Sequence, residues 1–178
     1  SLTKVICTTT MVMKLIEKGL LNLDDKVSKF IPKFKYEKIT IYHLLTHSSG
    51  LPADVTRAKT LKDRNDVLSR IFSFYLINPV GRNIVYSDIG YILLGLIIEK
   101  ITKMTLHDFA TEVIFKPLGM RDSGYYPDKS RCAPTEFRDD EVYKGLLQGL
   151  VHDEKSFAMG GLAGHAGFFS TTRDISLF

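Results

Sequence analysis

The first four residues, Ser1-Leu2-Thr3-Lys4, are the leading candidates for chemistry. They form an S-x-x-K tetrapeptide opening a helical run. Residues i and i+3 share a helix face, so the Lys4 amine can reach the Ser1 hydroxyl. A serine alcohol is a poor nucleophile until a neighbour takes its proton, and a partly desolvated lysine can help do so. Roughly one S-x-x-K is expected by chance in a chain this long, and this is the only copy. Tyr86-Ser87-Asp88 is the second candidate, a Y-x-[ND] triplet directly before a helix. A phenol lying near two ammonium groups can act as a general base. Tyr126-Pro127-Asp128 repeats the pattern, and a boundary aromatic with its ring packed and its hydroxyl wet accounts for Tyr86 equally well.

Other reactive residue types carry less. There is no G-x-S-x-G elbow and no H-E-x-x-H. The run from Gly160 to Gly167 lacks the Gly-Lys-Ser/Thr of a phosphate loop and is read as a tight turn. His165 lies in that run, where a structural role outweighs a catalytic one. His152-Asp153-Glu154 has metal-binding residue types, but no partner ligands are spaced for it. His47 is expected to end a helix and pair with backbone carbonyls. Cys7 and Cys132 fit no metal or redox spacing, and Cys7 reads as a small buried hydrophobe. No metal site and no cofactor is therefore expected.

The elements that must position Ser1, Lys4 and Tyr86 are helices. Thr3 to Lys18 is a helix stopped by Gly19. Its half from Val5 to Met13 is almost uncharged on every face, which normally means burial on all sides. A short helix follows Asn22-Leu23-Asp24-Asp25 and ends at Pro32. Thr40 caps a helix from Ile41 to His47, broken by Ser49-Gly50-Leu51-Pro52. Asp63 to Phe74 is helical, and turns follow at Asn78-Pro79 and Gly81. Ser87 or Asp88 caps a strongly apolar helix to about Lys103. Thr105 caps Leu106 to Phe115, which Pro117 and Gly119 close. Residues 121 to 144 read as loop with a short strand or two, and Thr171 or Thr172 caps a last helix. No clearly alternating strand, repeat or low-complexity linker is present.

The bulk numbers fit a globular chain: 178 residues, 44% hydrophobic, 25% charged and a net charge of +4. That length is one domain or a large piece of one. Much of the positive excess lies in Lys26, Lys29, Lys33, Lys35 and Lys38, which read chiefly as a solvated face. Aromatic residues are not interleaved as in a nucleic-acid platform, so no nucleic-acid partner is expected. The longest apolar stretch, Tyr91 to Ile98, is far short of the roughly 20 residues a membrane span needs. Residues 1–178 read without a signal-peptide or lipidation pattern.

The order of the motifs is more specific than any one of them. Ser1-x-x-Lys4 is followed by His43-Leu44-Leu45-Thr46-His47-Ser48-Ser49-Gly50-Leu51-Pro52 and by Tyr86-Ser87-Asp88-Ile89-Gly90-Tyr91-Ile92-Leu93-Leu94-Gly95. This succession resembles the serine β-lactamases of class C type, the DD-peptidases and related esterases. Ala133-Pro134-Thr135-Glu136, Val151-His152-Asp153-Glu154 and Gly161-Leu162-Ala163-Gly164-His165-Ala166-Gly167-Phe168-Phe169-Ser170-Thr171 are similar to one branch of penicillin-binding-protein-like hydrolases. The resemblance covers essentially the whole chain. It implies an acyl-serine hydrolase of an amide or ester, whether a β-lactam, a D-Ala-D-Ala peptide or an ester. Ser1 would be acylated, Lys4 would assist proton transfer and Tyr86 would be the general base. Asp88 would be a supporting residue where the family usually has Asn. An anion there favours a charged Lys4 and repels a substrate carboxylate. The implied partner is a small molecule or a peptidoglycan-like peptide, and the implied location is extracytoplasmic or membrane-associated.

The family's third motif, K-[ST]-G or H-[ST]-G, does not occur in residues 1–178. His165-Ala166-Gly167 is the nearest text, but it falls where the resembling branch has a turn. The resemblance implies a mainly antiparallel sheet flanked by helices, with its strands and one oxyanion-hole N–H outside these residues. The expected fold is thus mainly α, the helical part of a β-lactamase/transpeptidase-like α/β domain that 1–178 covers only partly. Two expectations follow for these residues alone: weak or no catalysis, and self-association through an uncovered helix face. A catalytically incompetent helical fragment with a structural or binding role is the alternative reading.

Overall fold

The architecture is that of a computed structural model describing residues 2–56 and 58–178; Ser1 and Arg57 lie outside the described residues. Its axis is helix α5 (Asp88–Thr102). Ser87 caps it, its hydroxyl accepting from the Gly90 N–H, and Lys103 closes it in the left-handed conformation. Ile89, Ile92, Leu93, Leu94, Ile97 and Ile98 are essentially inaccessible, and burying each such side chain stabilises the fold by about 1.5–3 kcal/mol. A helix apolar all round must be covered all round. Around α5 pack α1 (Thr10–Glu17), α2 (Val27–Phe30), α3 (Ile41–Leu45) and α6 (Leu106–Ala110).

The first helix begins as wide π-helical turns over Thr3–Thr9 and continues as α1. Such turns are rare and recur at functional sites. Here they keep Lys4 and Thr8, four residues apart, directed at one neighbouring segment. Thr8 Oγ1 donates to the Gly164 carbonyl at 2.6 Å, and Lys4 Nζ donates to the His165 carbonyl at 3.4 Å. Ile6, Cys7, Met11, Val12 and Leu15 are buried, whereas Leu2, Val5 and Met13 are 53%, 60% and 62% exposed. The uniformly apolar sequence predicts burial on all sides. Among the described residues one stripe is instead uncovered.

The remaining helices are α4 (Arg64–Ser73), α7 (Lys116–Leu118), α8 (Glu154–Ala158) and α9 (Thr172–Ile175). Asp63, Asp153 and Thr171 cap α4, α8 and α9 through their side chains. Two boundaries differ from the sequence expectation. Pro117 does not close the helix that Thr105 opens. Wide turns at Thr111–Phe115 precede it, and α7 carries the proline in its first turn, where a missing N–H is tolerated. Gly119, at φ 71°, ends the run. The helix from Ile41 stops at Leu45, two residues short of His47.

The strands are β1 (Pro134–Asp139) and β2 (Lys144–Gln148), an antiparallel hairpin with an irregularity between Pro134 and Glu136. The described residues are otherwise mainly helical. The glycine run folds back onto α5. A Cβ on Gly164 would come within 2.1 Å of the Tyr91 carbonyl oxygen, and one on Gly95 within 3.1 Å of the Gly164 nitrogen. Glycine at these two positions lets the turn lie directly on the helix backbone. That contact fixes His165 beside Lys4.

Candidate active site

A cleft of about 400 Å³ is lined by Leu2, Thr3, Lys4, Asp88, Asp153 and His165, with Val151, His152, Ala166 and Phe168 completing the wall. Ser1 itself lies outside the described residues. Lys4 is 3% exposed. Its Nζ is 2.7 Å from Asp88 Oδ1 and stands over the Tyr86 ring, 4.6 Å from its centroid. The Tyr91 ring is 5.9 Å away. Lys4 is thus placed beside both Tyr86 and Asp88. The Lys4–Tyr86 contact is with the face of the ring, and Tyr86 is 53% exposed toward solvent.

His47 supports Tyr86, a role different from the helix-ending one its sequence position suggests. It adopts φ 57° just beyond α3, which turns its ring away from the α3 carbonyls and back toward α5. Its Nδ1 accepts the Ser87 N–H at 3.0 Å. The ring packs between Tyr86 and Tyr91, with centroids 4.6 and 5.1 Å apart. Burial, reinforced by the Lys4 charge and opposed by Asp88, lowers its pKa. A neutral imidazole is what a backbone N–H donor requires at Nδ1. His47 and the Ser87 cap together fix the turn that presents Tyr86 and Asp88.

The second oxygen of Asp88 reveals a residue that sequence reasoning missed. Asp88 Oδ2 is 3.2 Å from Lys155 Nζ. Lys155 is buried, and its ammonium also meets Asp54 Oδ1 at 2.8 Å and Asp153 Oδ2 at 2.9 Å. Asp153 Oδ1 is bonded to His165 Nε2 at 2.7 Å, and His165 is 1% exposed. Lys4 and Lys155 therefore face three carboxylates in one cluster, in which both lysines are buried, Asp88 and Asp153 are largely covered and Asp54 is more than half exposed. Nothing in the local text separates Lys155 from the other lysines. The only signal is its place directly after His152-Asp153-Glu154.

The electrostatics follow from these contacts. Burial pushes the Asp88 carboxyl up, but the Lys4 hydrogen bond, with the charges of His165, Lys4 and Lys155, holds it below the usual range. For Asp153 burial is again outweighed, by the His165 hydrogen bond and by the His165 and Lys155 charges, and its pKa falls far below the ordinary value. Burial works against the Lys155 ammonium, yet Asp153, Asp54 and Asp88 raise its pKa. Both carboxylates and the Lys155 ammonium are thus ionised at neutral pH.

The expectation that Asp153 lacks spaced metal partners is corrected. Asp88, Asp153 and His165 bring ligand atoms within 4.8 Å of one another from distant parts of the sequence. Those donor types suit a divalent ion, but Lys155 Nζ already lies against both carboxylates. The cationic position is filled by an ammonium. His152 belongs elsewhere, bonded to Glu136 of the hairpin.

The Beta-lactamase family model matches residues 1–178. A putative D-alanyl-D-alanine carboxypeptidase of Escherichia coli (strain K12) is 35% identical over 206 residues, covering 98% of this chain and 48% of that protein. One of Salmonella agona (strain SL483) is 33% identical with the same coverage. The chain thus spans about half the length of the curated relatives it matches. Among solved structures, the octameric penicillin-binding protein homologue from Pyrococcus abyssi superposes with TM-score 0.75 at 25% identity, over 98% of this chain and 42% of that one. A beta-lactamase/D-alanine carboxypeptidase from Yersinia pestis gives TM-score 0.75 at 22% identity, over 99% and 50%, a likeness of fold.

Proposed function

This chain belongs to the Beta-lactamase family, and we propose that it carries the nucleophile end of a serine hydrolase that cleaves an amide or ester through an acyl-Ser1 intermediate. One observation carries the reading. The only S-x-x-K lysine is buried at a cleft, its ammonium held by Asp88 and set against Tyr86. In the proposed reaction Ser1 Oγ bonds to the substrate carbonyl carbon. Its proton passes to the Tyr86 oxygen as the phenolic proton moves to the neutral Lys4 amine, and a proton returns along the same path to the leaving nitrogen or oxygen as that bond breaks. Water then hydrolyses the acyl-serine. The curated relatives' name makes a peptide ending in D-Ala-D-Ala the first substrate to try, with β-lactams as its cyclic analogues.

A fluorescent penicillin with intact-mass analysis of the complete natural chain tests the proposal. One covalent adduct is expected, mapping to the peptide that contains Ser1 and absent from Ser1→Ala. Labelling that persists in Ser1→Ala would overturn it.

A further inference from the structure

We propose that Lys155 is a positioning residue for Lys4: its ammonium takes one oxygen of Asp88, so that only the other faces the catalytic lysine. The kinetic consequence rests on the serine-hydrolase reading; the geometry does not. Asp88 divides its two oxygens between Lys4, at 2.7 Å, and Lys155, at 3.2 Å. Lys155 is not free to leave. Asp54 and Asp153 hold the same ammonium at 2.8 and 2.9 Å, and its side chain is 3% exposed. Asp153 is itself fixed, its Oδ1 meeting both His165 Nε2 and the Ser156 N–H that it caps. The chain of contacts runs from the N-terminus of α8, through Lys155, to the carboxylate that touches Lys4.

This arrangement has a chemical purpose. A lone carboxylate pressed against a buried lysine holds the proton on that amine, which an amine assisting proton transfer must be able to release. A second ammonium on the same carboxylate cancels its charge at short range. Asp88 and Lys155 together then present Lys4 with the geometry of a hydrogen-bond acceptor and little net field. Among the described residues, Lys4 is faced by Asp88 and Tyr91 from α5, Tyr86 before it, His47 after α3, and the His165 carbonyl of the glycine run. Lys155 is faced by Asp54, Asp88 and Asp153. Among the described residues Asp88 is the anion in contact with both lysines, so Lys155 acts on Lys4 through it.

The test uses the complete natural chain with Lys155→Met, Lys155→Arg, Asp88→Asn and the double variant Asp88→Asn/Lys155→Met. Two readouts are taken: the pH profile of penicillin acylation, and titration of the Lys4 signal by NMR with [ε-13C]lysine, which needs no turnover. In Lys155→Met, Asp88 faces Lys4 with one balancing cation fewer, and the acidic limb moves to higher pH by about one unit. Asp88→Asn moves it to lower pH. The double variant, neutral at both positions, returns it toward the starting profile, and Lys155→Arg keeps it there. A purely structural role would lower the rate without moving the limb. If Lys155→Met does not fold, Asp88→Asn and Lys155→Arg still decide. An acidic limb and a Lys4 titration unmoved by Lys155→Met or by Asp88→Asn, or a Lys155→Arg that moves the limb to higher pH, overturn the proposal. If the unaltered protein takes no label at any pH, the hydrolase reading fails, and the NMR titrations alone judge Lys155.

Discussion

Two charged networks meet at α8, and consecutive residues of that helix serve them. Glu154 turns outward to Arg138 of the hairpin, at 2.8 Å, and Arg138 also pairs with Asp140 and lies over the Tyr143 ring at 4.6 Å. Lys155 turns inward to Asp54, Asp88 and Asp153. Both networks hold carboxylates below their usual pKa, but by different means. Asp140 is lowered to about 2, first by the Tyr143 N–H, against some desolvation, and then by the Val142 N–H and Arg138. These partners are two or three residues away. Asp153 is depressed against strong burial by His165, twelve residues on, and by Lys155. A turn at the surface can organise charge with local hydrogen bonds. The cleft adds partners from distant segments, as Lys155 does with Asp54 and Asp88, and there desolvation magnifies each charge.

The largest expected difference between the two networks is in catalysis. Lys4→Met in the complete chain should slow acylation by roughly 10²-fold or more. Arg138→Ala, which removes the hub of the surface network, should leave the acylation rate near the unaltered value. Stopped-flow labelling with a chromogenic β-lactam or ester reads both. Equal losses in the two variants would mean that the hairpin takes part in the chemistry, and the contrast would collapse.

The next difference is in acid stability. Asp153 and Asp140 both have pKa values below the ordinary 3.8, so the folded state favours the ionised form of each. Their stabilisation is complete above the carboxylate range and is lost as pH falls through the folded values. Melting temperatures between about pH 5 and pH 2 should fall steeply in the unaltered protein. Asp153→Asn should flatten that fall, whereas Asp140→Asn should change it less, because Asp153 answers to two cationic partners, His165 and Lys155, and Asp140 to one, Arg138. The reverse order would assign the acid limb to the hairpin.

Much of the frame was legible because it depends on local chemistry. Ser87, Thr105, Asp63 and Thr171 announce helix starts through side chains that accept their own helices' N–H groups, and the apolar run of α5 announces its burial. Lys4, Tyr86 and Asp88 were singled out by the family resemblance that the order of their motifs carries. What escaped is what folding alone brings together. Lys155 reads like any surface lysine, and His47 owes its role to a left-handed backbone and to Ser87, forty residues away. The hairpin was faint for another reason: β1 is exposed along nearly its whole length and carries a register irregularity. Alternation marks a strand only when one face is buried.

The smallest effect concerns association, and it again separates the two regions. Leu2, Val5 and Met13, with Thr9 between them, form a stripe on the first helix, more than half exposed at each apolar position. The hairpin exposes Phe137 at 72% and Leu146 at 55%. On the hairpin, however, Glu136, Arg138, Asp139 and Lys144 interleave with the apolar residues, the arrangement by which strand edges resist pairing. The helix stripe has no charge from Val5 to Met13, so a second copy can cover it without desolvating an ion. Covering such a side chain is worth up to about 1.5–3 kcal/mol, enough over three positions to support weak dimerisation once the entropy of association is deducted. Sedimentation velocity of the 178-residue chain across a concentration series should therefore show reversible self-association. Val5→Lys and Met13→Lys should weaken it, while Phe137→Lys should not. A monomer at every concentration would remove the helix stripe as an interface, and dissociation by Phe137→Lys alone would move the interface to the hairpin.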